Sequence, residues 1–385
     1  MPATQIYAVV NKIAKNLNYT GSDVIDISSF VAFGKDALSD TLLTEGVYNE
    51  LVDLIGRTIF AIDSAEDDER GIITDQFTYG SILQKLSFQL QDAQTSPEWD
   101  IEHPENPYSV TAKGGVIQRF FEQYIPSFCY EDAIYKLQLE EAFRSPESLN
   151  GFIDALYQRM RNAYAIAKNG LSDAAIGGLM AAVMEDCAPT GGGHTQNVNA
   201  SRRVRYLLGE YNTLFSKSLT SANSYQDADY LDWVRKQIII DKKNLNKMTK
   251  LYNDGSVERR STDADVKLDL SIRMTASYDK FYGDTYNDNY VKLPKHTEIV
   301  NWGIATDAEK VKVSLDGTNT TTISNILGVM YDKDACVATL ARERFVAVPD
   351  KWNEKTPIKL SCDRRYIADI SENVIIYLND TAPSA

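Results

Sequence analysis

The stretch SPESLNGFIDALYQRMRNAYAIAKNGLSDAAIGGLMAAVM, residues 145–184, decides how the rest of the chain is read. Ser145 has the side-chain oxygen of an N-cap, which accepts a hydrogen bond from an orphan amide of the first turn. Pro146 falls at the first helical position, where its missing N–H costs nothing. Glu147 places negative charge at the positive end of the helix dipole. Leu149, Phe152, Ile153, Leu156, Met160, Ala163, Tyr164 and Ala167 then recur at the spacing of one buried helix face. Asn169-Gly170 reads as a stop or kink, because both residues tolerate a left-handed C-cap. Ser172 would cap a second piece running through Ala182. The first piece alone gives a rod of about 35 Å, at ~1.5 Å per residue, and needs a sheet or other helices to cover its stripe.

Composition narrows the function classes. The chain has 385 residues, 43% hydrophobic and 24% charged, which suits two or three globular domains. Net charge is −14 without a long basic block, which argues against nucleic-acid readers and against binding to anionic membrane. No apolar run approaches the ~20 residues that span a bilayer, and the N-terminus lacks a signal-peptide pattern. The four cysteines, Cys129, Cys187, Cys336 and Cys362, are widely spaced and read as reduced packing residues made in a reducing cytoplasm.

Upstream of the rod, residues 5–17 form an amphipathic helix with Ile6, Val9, Val10, Ile13 and Leu17 on one side, suited equally to its own core or to another copy. A second helix covers 44–60, and the acidic run 63–69 is a solvated loop. Residues 82–90 alternate: Ile82, Leu86, Phe88 and Leu90 on one face, Lys85, Ser87 and Gln89 on the other, the pattern of a half-buried strand. A second extended run covers 115–130. The segment between them has three prolines and few aliphatics. Together they predict an elongated hairpin arm with a long tip. A loop of that length in a compact domain usually serves a function. Here it suits burial on a neighbouring molecule, or a lid over a reactive site.

Downstream, the glycines 191–193 mark a joint. Val204, Leu207, Leu208, Tyr211, Leu214 and Phe215 form a helical stripe. Asp227 caps a further helix with Leu231, Val234, Ile238, Leu245, Met248 and Tyr252 on one face, interrupted by Asp241 and ended by Asn253-Asp254-Gly255. Residues 265–274 alternate as a strand. From Ile323 onward the chain is strand-like, with turns at Pro349-Asp350, Asp363 and Ser371-Glu372-Asn373. Such late strands must pair with something earlier in the chain, so at least one domain is discontinuous.

Chemistry is hard to place. No nucleophile elbow, paired-histidine metal motif, Walker loop or dinucleotide fingerprint stands in a fitting context. His103, His194 and His296 are isolated in sequence. No catalytic, cofactor-binding or metal-ligating residues are assigned, and the chain is read as no enzyme. The competing hypothesis is a structural subunit that works by self-association.

The element order resembles the tailed-phage major capsid proteins of HK-97-like fold. The likeness is carried by LVDLIGRTIF at 51–60, FRSPESLNGFIDALYQRM at 143–160, VMYDKDACVAT at 329–339, RFVAVP at 344–349 and VIIYL at 374–378. It extends to the capsid proteins of small podophages and Gram-positive prophages. It implies an α+β fold with an N-terminal arm at 1–50 and an extended hairpin arm (E-loop) at 71–131. The peripheral domain with its spine helix would comprise 51–70, 132–189 and 336–385, and the axial domain 190–335. It further implies a virion protein, made in the bacterial host cytoplasm, that forms hexamers and pentamers of an icosahedral or prolate shell around double-stranded DNA. Implied partners are other copies, a separate scaffolding protein and a portal, with DNA touched only through non-specific proximity and no membrane. The family's Lys–Asn crosslink finds no matching constellation, although Lys85 and Lys113 lie in the arm. Trp99, His103 and Tyr108 in the arm, with Arg259 and Arg260 in an axial loop, are the candidate contacts between copies. An encapsulin-like compartment shell and a tail or baseplate component are the alternative structural readings.

Overall fold

In a computed structural model, the described residues are 3–16, 23–39, 70–73, 82–88, 115–122, 128–187, 202–282, 292–302, 307–313, 320–348, 350, 352–353 and 355–382. The chain divides into two compact units. The first comprises 1–71, 125–170 and 340–365, and the second 72–124, 171–339 and 366–385. The expected helix at 44–60, the acidic run 63–69, the arm tip and the glycine joint lie outside the described residues.

The first unit contains α1 (Ala3–Asn16), α2 (Ile27–Ser39), β3 (Phe128–Tyr135), α3 (Lys136–Ala142) and the start of α4 (Pro146–Asp186). Ser145 caps α4 as its sequence requires: its Oγ accepts from the Ser148 amide at 3.1 Å. Leu149, Leu156, Met160 and Tyr164 are buried together with Phe30, Phe33, Phe143, Ile358 and Leu360. Phe152 and Ile153 are only partly buried at the edge of this cluster, so the buried stripe is narrower than the sequence pattern. Val10 and Ile13 of α1 pack into the same cluster, which gives the terminal helix a partner within its own chain. Phe143 is the aromatic hub, with ring centroids 5.5 Å from Phe30 and 6.2 Å from Phe33.

The expected break at Asn169-Gly170 does not occur. α4 is one helix of 41 residues. Asn169 and Gly170 are exposed on it, and neither has positive φ. A helical glycine costs about 1 kcal/mol relative to alanine. Leu156, Met160 and Tyr164 before the pair, and Leu171, Ala175, Ile176 and Leu179 after it, are buried and outweigh that cost.

A three-stranded sheet has the order β10-β11-β3, with β10 spanning Cys336–Ala347 and β11 spanning Lys355–Ala368. β11 runs antiparallel to β3, with Ile358 opposite Asp132 and Leu360 opposite Tyr130. The turn expected at Asp363 is absent, because β11 passes straight through it. Asp363 instead meets Arg344 of β10 at 3.3 Å. The run 115–130 is likewise not one strand: β2 (Val116–Glu122) and β3 belong to different sheets.

The second unit is built on a five-stranded mixed sheet of order β4-β12-β9-β5-β6. Its strands are β4 (Val204–Tyr206), β5 (Val266–Ser271), β6 (Thr297–Ile299), β9 (Ile326–Asp332) and β12 (Val374–Leu378). β12 pairs parallel to β4 and antiparallel to β9. Helices α5 (Leu207–Phe215), α6 (Ala228–Asn244) and α7 (Ile272–Tyr282) share its core through Leu208, Tyr230, Leu231, Val234, Ile238, Met274 and Tyr278. This unit also contains a short antiparallel pair, β7 (Val311–Val313) and β8 (Thr321–Ile323), and a hairpin of β1 (Ile82–Phe88) with β2.

Several local expectations change here. Val204 is a strand residue rather than the start of a helix, and Leu214 and Phe215 are exposed at the end of α5. α6 stops at Asn244, so Met248 is exposed and Asn253-Asp254-Gly255 is a separate turn. Ile272 opens α7, which ends the strand at Ser271. Asp241 is no interruption: it is buried and accepts from Arg205 Nη1 at 2.7 Å and from the Tyr377 hydroxyl at 3.1 Å.

Two packing predictions follow from these contacts. Met160→Ala should cost about 2–5 kcal/mol, and Phe152→Ala less, because only Met160 is fully enclosed; chemical denaturation of both variants measures the difference. At Gly328, opposite Leu270 in the β5–β9 pairing, an added Cβ would stand 2.5 Å from the Asp269 carbonyl oxygen. Gly328→Ala should therefore destabilise by about 1–3 kcal/mol or more, and an unchanged melting temperature would refute that steric account.

Candidate functional site

The hairpin that the sequence marks as an arm begins with β1 (Ile82–Phe88), which pairs antiparallel with β2. Its register sets Lys85 opposite Arg119 and Ser87 opposite Ile117 on one face, and Leu86 opposite Gln118 and Phe88 opposite Val116 on the other. Over residues 85–88 the burial of β1 is the reverse of the expected half-buried strand. Ser87 is 3% exposed, whereas Leu86, Phe88 and Val116 are 54%, 69% and 59% exposed. Lys85, Ser87 and Arg119 turn inward beside the half-buried Ile117, while Leu86, Phe88 and Val116 turn outward beside the exposed Gln118.

The charges explain the inversion. Two cations directly opposite each other weaken a strand pair unless acids meet them, and here acids do. Lys85 Nζ lies 2.7 Å from Asp369 Oδ2 and 2.6 Å from Glu372 Oε1. Arg119 pairs with Asp254, donates to Ser256 Oγ at 2.8 Å and lies 4.0 Å from Asp369. Arg259 Nη2 donates to Ser87 Oγ at 2.7 Å and lies 3.1 Å from Glu372 Oε1. Two turns hold the acids. In the first, Gly255 takes φ 78°, and its amide donates to Asn253 Oδ1 at 2.8 Å. That geometry suits a residue without a Cβ. In the second, Ser371 donates its amide and hydroxyl to Asp369 Oδ1 at 2.9 and 2.6 Å. The Asp254 amide donates to the Ile370 carbonyl at 3.1 Å and ties the two turns together.

Their titration follows from these partners. Burial works against the Lys85 ammonium, but the carboxylates of Asp369 and Glu372 outweigh it and hold its pKa above the ordinary 10.5. Burial pushes the Glu372 carboxyl above 4.5, and Lys85 and Arg259 only partly oppose that. For Asp254, burial also favours the neutral form. The two hydrogen bonds from Ser256 and the charge of Arg119 win and hold it below 3.8.

Of the residues singled out from sequence, Trp99, His103, Tyr108 and Lys113 lie outside the described residues. Arg259, expected to reach another copy, is engaged inside its own unit with Glu372 and Ser87. Arg260 next to it is exposed. Sequence reasoning missed the outward set Leu86, Phe88 and Val116. It also missed a second exposed apolar group around the β10–β11 turn, where Val346 and Val348 are exposed and Trp352 is 92% exposed. The alternation at 82–90 was the available signal, but its polarity with respect to the core could not be assigned without the pairing partner.

Other chemistry is sparse. Among the described residues no group of His, Cys, Asp and Glu side chains is arranged to hold a metal ion, and no helix is long and apolar enough to cross a membrane. An open groove in the first unit is lined by Val31, Leu137 and Phe143, with Glu140, Glu141, Lys35 and Arg144 at its polar edge. It brings together no nucleophile and base.

The Asp254 pair carries a pH prediction. Its folded pKa is below its ordinary value, so its contribution is complete above pH 3.8 and is lost as pH falls through the folded value. Asp254→Asn should lower stability by roughly 1–2 kcal/mol at pH 7. The gap from the unaltered chain should close under strong acid, and denaturation curves at the two pH values test this.

The family model for Phi29-like phage major capsid proteins matches residues 6–376. A chain in the capsid structure of Staphylococcus phage Andhra superposes with a TM-score of 0.51 at 8% identity, covering 81% of this chain and 83% of that one. A chain from the structure of the head fiber and inner core protein gp22 of native bacteriophage P68 gives 0.50 at 8% identity, covering 80% and 83%. No match to a curated protein was found. The shared fold is the α+β, HK-97-like fold of phage capsid proteins, and the chain belongs to the Phi29-like phage major capsid protein family, whose members are the structural subunits of the shell.

Proposed function

We propose that this chain builds the head of a tailed phage as hexamers and pentamers of an icosahedral or prolate shell around double-stranded DNA. The hairpin 71–131 lies over the adjacent subunit of the same capsomer. Residues 1–50 act as an N-terminal arm, 190–335 as the axial domain, and 51–70, 132–189 and 336–385 as the peripheral domain. The observation that carries this is the outward apolar face of the hairpin, Leu86, Phe88 and Val116. A two-stranded ribbon is marginal by itself, and one that leaves its apolar face in water gains by covering that face on a neighbour. Burial at about 25 cal/mol per Å² is modest for one ribbon but is repeated at every subunit of a closed shell.

A separate scaffolding protein and a portal would direct closure. DNA would be touched only through non-specific proximity, since a net charge of −14 leaves little general attraction for phosphate. Synthesis takes place in the bacterial host cytoplasm, with no membrane partner. The chain performs no catalysis and carries no cofactor.

The test is expression with the scaffolding protein, followed by sizing and negative-stain microscopy. Closed shells are expected. Tubes or rings would point to a tail component, and shells filled with enzyme cargo to a storage compartment. Phe88→Asp combined with Val116→Asp should abolish closure while leaving the melting temperature of the isolated chain within a few degrees. Shells of normal size and yield from this variant would refute the role given to the hairpin face.

A further inference from the structure

We infer that the charged cluster beneath the hairpin is a releasable latch: it fixes, within one chain, which face of the β1–β2 ribbon is turned outward, and it can open without unfolding the sheet of the second unit. The part of this inference concerning the neighbour rests on the function proposed above; the latch itself does not.

Three observations support it. The first is the division of charge. The ribbon supplies Lys85 and Arg119, while the body supplies Asp254, Asp369 and Glu372 with Arg259, so two cations meet a site of net negative charge. The second is the type of contact. Among the described residues, the inward positions Lys85, Ser87 and Arg119 are joined to the body through ion pairs and hydroxyl hydrogen bonds, with Ile117 half-buried beside them, whereas Leu86, Phe88 and Val116 are exposed to solvent. The third is where the acids sit. Asp254 lies in the turn after α6, and Asp369 and Glu372 lie in the turn between β11 and β12. None of them belongs to the five-stranded sheet, so losing the ribbon's cations leaves the sheet pairings intact.

Ionic contacts are directional and expose their solvent-seeking groups when parted, so a latch of this kind opens into water at lower cost than an apolar seam. It also biases the ribbon before any neighbour arrives, which removes part of the ordering cost of docking. Lys85 and Arg119 are thus positioning residues for the outward face.

Hydrogen exchange on the purified, unassembled full chain tests the latch. Lys85→Gln should raise amide exchange in 82–88 and 116–122 at least tenfold and leave β9 and β12 unchanged. Lys85→Arg should keep the protection of the unaltered chain. Arg119→Gln, a second and independent variant, should behave like Lys85→Gln. Unchanged exchange in both glutamine variants would overturn the latch, as would an equal rise in β9 and β12, which would make the cluster part of the core. Because exchange is read on isolated chains, normal assembly of the Phe88 and Val116 variant would sink only the neighbour contact and leave the latch standing.

Discussion

The second unit depends on one late insertion. β12, Val374–Leu378, enters between β4 and β9, and all five of its residues are buried. Its partners lie far upstream, so the sheet cannot be completed until the end of the chain is in place. The Ile376 amide donates to the Arg203 carbonyl at 2.7 Å, the Val374 amide to the Tyr252 carbonyl at 2.9 Å and the Asn379 amide to the Asn325 carbonyl at 2.7 Å. The same insertion fixes the turn that precedes it. The Asp369 amide donates to Ala335 O at 2.8 Å, and Asn373 Nδ2 to Ser261 Oγ at 3.0 Å. The acids that hold the hairpin are therefore in place only once the last strand is seated.

The interior of this unit is more polar than its composition suggests. Arg205 bridges Glu210 and Asp241, and the Tyr377 hydroxyl of β12 also donates to Asp241. Arg203 is fully buried and pairs with Asp186 at the end of α4. Tyr230 and Ser224 both donate to Asn379 Oδ1, at 2.9 and 3.0 Å. Burying such groups costs desolvation, which an apolar replacement would avoid, but stranding one partner costs more. A strand shifted by one residue would turn Tyr377 away from Asp241 and strand it. The network thereby specifies the register of β12, which a uniformly apolar run such as VIIYL cannot do alone.

Much of this was legible in sequence where a single element decides its own structure. The Ser145-Pro146 start of α4, the capping Asp227, and the strands at 326–332 and 374–378 follow from capping chemistry and apolar runs. The failures share a cause: in each, a distant partner overrode a local signal. Asn169-Gly170 is a stop signal that burial on both sides outweighed. Asp363 is a turn residue that Arg344 across the strand pair recruited. Asp241 broke an apolar beat because its partners, Arg205 and Tyr377, are 36 and 136 positions away. For Arg259, a candidate contact between copies, the own-chain partners Glu372 and Ser87 could not be placed beside it from sequence. The family and fold were legible through the order of elements, while the polarity of the hairpin was not, because period two gives two faces and no core.

That last failure bears on assembly. A period-two strand is ordinarily read by assuming that its apolar face meets the core of its own chain. In a subunit of a closed shell, the relevant interior includes its neighbours, so an apolar face can be correctly placed when it looks outward. The inward face must then be held by more than the hydrophobic burial of Ile117, or the ribbon would roll over and bury Leu86, Phe88 and Val116 against its own sheet. Opposed cations on one face and matching acids in two turns make that inversion unfavourable, because rolling the ribbon would part Lys85 and Arg119 from their acids and leave Asp254, Asp369 and Glu372 crowded together beneath apolar side chains. The cluster thus does more than attach the hairpin: it excludes the alternative in which a single chain satisfies its own apolar surface and has no further use for a second copy.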